Sequence, residues 1–141
     1  MPATNESRTL PALPEALETV HAMLDRFWSA VESSRGLAVP PNLKHGLATA
    51  VAEVAANIIR YSEAGSFDFA LSLAERLVEA RFTDAGIPYR GVADGAFDPE
   101  QLAEGGMGLA LAKRGLHAFA YQRLPDDTNC WTLVMKLPVP V

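Results

Sequence analysis

The chain has 141 residues, 49% of them apolar, which suggests one domain, 1–141, with a buried core. Its formal charge of −5 argues against broad nucleic-acid binding, which needs a basic surface. A single cysteine, Cys130, excludes an intrachain disulfide and a cysteine-rich zinc site, and no apolar run approaches the ~20 residues of a membrane span.

The polar start, Met1 to Leu10, has no signal-peptide pattern, so the expected location is the cytoplasm. Ser7 to Leu10 reads as a short edge strand bounded by Pro11 and Pro14. Pro14 and Glu15 suit a helix first turn. Leu17, Val20, Met23, Leu24, Phe27, Trp28 and Val31 then recur at helical spacing, and Gly36 closes the helix. After a proline-rich linker a second helix is predicted from about Leu43 to Tyr61, with an apolar stripe of Leu43, Leu47, Ala50, Val51, Val54, Ala55, Ile58 and Ile59. Phe67 to Leu73 alternates as a strand. Arg76 to Phe82 follows as a second strand, with Leu77 and Val78 as candidates for its apolar face and Ala74-Glu75 as the turn. Asp84 to Glu104 lacks a regular pattern and is rich in glycine and proline. From Ile87 onward it suggests a lid, since long loops in small domains are often functional. Leu109 to Leu116 reads as a helix, and His117 to Leu124 with Cys130 to Leu137 as a closing hairpin around Pro125 to Asn129. The order of elements predicts an α+β class, with helices layered on one face of a mixed, mostly antiparallel sheet.

Three short segments carry chemistry. Glu53 and Asn57 stand at i and i+4 on one helix face among small and apolar neighbours. A carboxylate beside apolar surface can accept a proton near neutral pH, and an amide oxygen is a hard ligand suited to Mg2+. Asp84 follows an apolar strand, where a fixed carboxylate can accept from the amino group of a purine; Gly86 beside it permits close approach of a base or of backbone. Gly105-Gly106-Met107-Gly108 precedes a helix, a place where backbone N–H groups can cradle phosphate. Taken singly, each has a plain alternative: a solvated Glu-Asn pair, an ordinary Asp-Ala-Gly turn, a flexible glycine loop. His21, His45 and His117 have no metal-ligand spacing, and Cys130, Phe27 and Trp28 read as packing residues.

In this order the three segments resemble the asparagine box and the two glycine boxes of the GHKL ATPase superfamily, which includes histidine kinases and gyrase. The chain is similar, more closely, to the small anti-sigma-factor serine/threonine kinases of bacterial partner-switching modules, over about residues 7 to 138. The resemblance implies a two-layer Bergerat-type α/β sandwich that binds ATP with Mg2+. It assigns Glu53 as general base, Asn57 as the Mg2+ ligand, Asp84 as the adenine-binding acid with Gly86 beside it, and Gly105, Gly106 and Gly108 as the phosphate turn. Thr128 falls near the family's late threonine. Departures are Tyr61 where many members have histidine, Pro88 where glycine is frequent, and Asn129-Cys130 where a Gly-Thr pair is usual.

The activity this implies is phosphorylation of a serine on an anti-sigma-factor antagonist, with a sigma factor or a phosphatase as further partners and a homodimer as a family habit. Neither nucleic acid nor membrane is expected as a partner. The alternative is a non-catalytic, nucleotide-sensing binding module of the same fold. A third reading, a detached histidine-kinase catalytic domain, is disfavoured by the short lid and the missing dimerisation helices.

Overall fold

A computed structural model describes residues 5–36, 38–89 and 116–139. Their elements run β1 (Asn5–Pro11), α1 (Ala16–Arg35), α2 (Pro41–Tyr61), β2 (Ser66–Ala74), β3 (Leu77–Asp84), β4 (Ala118–Arg123) and β5 (Asn129–Lys136). The strands form one sheet in the order β1-β2-β3-β5-β4. Every neighbouring pair among the described strands is antiparallel, in line with the mostly antiparallel sheet expected. Tight hairpins join β2 to β3 and β4 to β5, and such short connections permit only antiparallel pairing.

The fold is α+β, with the helices on one sheet face. In α1, Val20, Met23, Leu24, Phe27, Trp28 and Val31 are buried, and Leu17 packs at the margin. Gly36 ends α1 in the left-handed conformation, φ 65°, and its N–H donates to Glu32 O. The second helix starts at Pro41, two residues before the predicted Leu43, because proline fits the first helical position. Between the helices the Glu32 carboxylate accepts from Val39 N at 2.8 Å and lies 3.2 Å from Lys44 Nζ. Helix α1 lies over β1 and β2, and α2 over β3 and β5.

The inner sheet face carries Phe67, Phe69 and Leu71 from β2, Val78, Ala80 and Phe82 from β3, Tyr121 from β4, and Trp131, Leu133 and Met135 from β5. Leu77 does not join them; it is 42% exposed. The register pairs Leu73 with Val78 and Phe69 with Phe82, so the even-numbered residues of β3 face inward. The turn likewise shifts to Glu75-Arg76, with Ala74 opposite Leu77 and Glu75 at φ 56°. Cys130 is buried, but on the outer face opposite the helices, because it alternates with inward-facing Trp131. His21, His45 and His117 are exposed. Of the helix predicted from Leu109 to Leu116, only Leu116 lies among the described residues.

Candidate functional site

The inner face changes character at the end of the sheet where β3 stops. The last inward residues of β3, β5 and β4 are Asp84, Asn129 and Arg123, side by side in register. Asp84 and Asn129 meet the C-terminal end of α2, where Asn57, Ile58 and Tyr61 line the same small cavity. Asn57 and Asp84 are 3% and 4% exposed. Asp84 Oδ1 accepts from Gly86 N at 2.8 Å and from Asn129 Nδ2 at 2.9 Å. Among the described residues, Asp84 Oδ2 and Asn57 Nδ2 are buried without a hydrogen-bond partner. A buried polar atom without a partner costs about 1–3 kcal/mol. A group that met both would offer a donor to Asp84 Oδ2 and an acceptor to Asn57 Nδ2.

The cavity measures about 10 Å³, the room of a single water. Aromatic rings close it. Tyr89 meets Tyr61 edge to face at 6.1 Å and Trp131 at 5.1 Å, and Tyr121 meets Trp131 at 4.7 Å. A purine enters only if these rings yield. Burial pushes the phenols of both Tyr89 and Tyr121 up from their ordinary value, so both are neutral donors at physiological pH.

Gly86 is a packing requirement. A Cβ there would lie 2.1 Å from Ser62 O, at the end of α2, while Ile87 N donates to that same oxygen at 2.8 Å. The close approach expected at Gly86 is thus made by the protein's own backbone. This contact holds the segment after β3 against the end of α2 and so brings Asp84 beside Asn57.

The sequence-predicted residues divide three ways. Asn57, Asp84 and Gly86 are brought together. Glu53 is half-buried one turn before Asn57, away from the residues that line the cavity. Gly105, Gly106 and Gly108 lie outside the described residues, as does the predicted lid from residue 90 onward. Thr128 stays in the β4–β5 turn, where its hydroxyl donates to Asp126 at 2.6 Å, and with Asp84 it lines an open groove of about 440 Å³. The place beside Asp84 belongs to Asn129, 2% exposed. Alternation back from Trp131, Leu133 and Met135 puts Asn129 on the inner face, and that signal was readable in the sequence.

A histidine kinase-like ATPase domain family model matches residues 10–136. The chain belongs to that family. No curated protein matches. The fold is similar to that of a solved structure, the histidine kinase domain of an Erythrobacter litoralis blue-light activated histidine kinase. The likeness has a TM-score of 0.56 at 18% identity, and it covers 82% of this chain. The chain spans 60% of the length of that solved chain. Both the family and the fold are those of the GHKL ATPase superfamily, whose domains bind ATP, usually with Mg2+. Among the described residues of this ATPase domain no three His, Cys, Asp or Glu side chains group around a point. Mg2+ held by one amide oxygen and by phosphates needs no such cage. No described helix is long and apolar enough to cross a membrane.

Proposed function

We propose that this chain is an ATP-dependent serine/threonine protein kinase of the anti-sigma-factor type, acting on an antagonist protein in a cytoplasmic partner-switching module. The observation that carries the nucleotide reading is Asp84 Oδ2, a buried acceptor without a partner in a cavity shared with Asn57. In this reading Asp84 accepts from the 6-amino group of adenine. Asn57 holds Mg2+ through its amide oxygen, and the bound ion supplies charge neutralisation at the transferring phosphoryl group. Glu53 takes the proton of the attacking serine hydroxyl, and Gly105, Gly106 and Gly108 present backbone N–H groups to phosphate. A sigma factor or a phosphatase is the further partner in this reading, and a homodimer is the chain's proposed assembly.

One observation favours a second reading, a nucleotide-sensing binding module without transfer activity: Glu53 stands off the cavity that Asn57 and Asp84 share. Calorimetry and a transfer assay separate the two. Mg-ATP should bind more tightly than Mg-GTP, and Asp84→Asn should weaken ATP strongly. With radiolabelled ATP and a candidate antagonist protein, Glu53→Ala should keep nucleotide binding and lose transfer by ~10²–10⁴-fold. Binding without any transfer by the native chain would leave the module reading, and equal binding of GTP would sink the adenine assignment.

A further inference from the structure

We infer that Arg123, which lies outside the cavity lining, braces Asn129 and through it holds Asp84 in the position that discriminates between purine edges. The inference rests on the adenine-nucleotide reading and goes beyond it. Arg123, Asn129 and Asp84 sit in one row across β4, β5 and β3. A guanidinium has donors only. Arg123 Nη1 lies 3.0 Å from Asn129 Oδ1 and 2.7 Å from Gly86 O. The oxygen end of the Asn129 amide must therefore face Arg123. The Tyr121 hydroxyl reinforces this choice: its oxygen accepts from Tyr89 N at 3.0 Å, and its proton goes to the same Asn129 Oδ1.

With its oxygen so committed, Asn129 turns its NH2 group the other way. That group donates to Asp84 Oδ1 at 2.9 Å and to Ile87 O at 2.8 Å. With Gly86 N as a second donor at 2.8 Å, Oδ1 is filled. Only Oδ2 is left for a ligand, and as an acceptor. A purine carrying an amino group at that edge is taken; one carrying a carbonyl oxygen there meets oxygen against oxygen. Without Arg123 the amide loses its charged partner, and the Tyr121 hydroxyl, Asp84 Oδ1 and Ile87 O are left to hold it. Asn129 is then held less firmly against Asp84, and the carboxylate oxygen that reads the purine edge is less well positioned.

Arg123 is thus a positioning residue, and its signature is a change in discrimination. The probes are Mg-ATP and Mg-inosine triphosphate, titrated calorimetrically against the full chain. The native protein should prefer ATP. Arg123→Met should weaken ATP by roughly tenfold or more and leave inosine triphosphate little changed, so the ratio collapses. Arg123→Lys keeps a donor-only cation and should retain much of the preference. If Arg123→Met fails to fold, Asn129→Ala, which removes the donor to Oδ1, should give the same collapse. A folded Arg123→Met or Asn129→Ala with the native ratio overturns the relay and leaves the nucleotide reading intact. A native chain that binds neither nucleotide overturns that reading and the relay with it.

Discussion

Gly86 has no room for even a methyl group, because a backbone carbonyl occupies the space its Cβ would need. Ser62 O cannot move aside freely, since Ile87 N is bonded to it. Gly86→Ala should therefore destabilise the fold by about 1–3 kcal/mol, the usual cost of overpacking. Thermal denaturation should show the loss, and a variant that melts with the native protein would mean the chain relaxes there without strain. The same residue donates its N–H to Asp84 Oδ1. Whatever nucleotide the chain binds should consequently bind more weakly to Gly86→Ala, although no ligand need touch that residue. Asn129 shows the complementary behaviour: its two ends meet Arg123 and Asp84, so a neutral amide lies between a cation and an anion and is fixed by both.

At the level of elements, the pairing of α1 with α2 is tied by Glu32. The Val39 N–H, bonded to its carboxylate, is the main cause that holds Glu32 below its ordinary value, and Lys44 adds to it. A carboxylate whose folded value is depressed stabilises the fold above its unfolded value, 4.5 here, and loses that contribution as pH falls through the folded value. Glu32→Gln should therefore melt below the native chain at pH 7. The gap should narrow as the pH is lowered from about 5 towards 3, and a gap independent of pH would show that Glu32 acts without its charge. The strands play a different part. The β4–β5 hairpin brings Asn129 opposite Arg123, and the separate pairing of β3 with β5 brings Asp84 opposite Asn129, so sheet register determines which polar groups meet at the end of the sheet where β3 stops.

Over the whole molecule, the helices cover one sheet face and the buried polar residues gather at one end of that layer. Asn57, Ser62, Asp84 and Asn129 are the buried polar residues among those described, and all four line the same cavity. The rest of the layer is apolar and carries the fold's stability. Unsatisfied atoms at one end lower stability until a ligand meets them, so binding should be visible as stabilisation of the entire domain. At a nucleotide concentration 100 times its Kd, Mg-ATP should add about 2.7 kcal/mol to unfolding. A melting temperature unmoved by millimolar Mg-ATP, with Asp84→Asn behaving identically, would argue against the site.

The sequence by itself determined the α+β class, both helices and the strand alternation, because apolar periodicity and glycine or proline punctuation are local properties. It also singled out Asn57, Asp84 and Gly86 as candidates through their spacing and family resemblance. Tertiary structure alone decided which face of β3 is inward, since register against β2 sets it and Leu77 is as apolar as Val78. It alone decided that Gly86 meets Ser62, which is 24 positions earlier in the chain. It also decided what Asn129 meets. Alternation along β5 already puts Asn129 on the inner face, but only the pairing of β5 with β3 sets it opposite the Asp84 carboxylate.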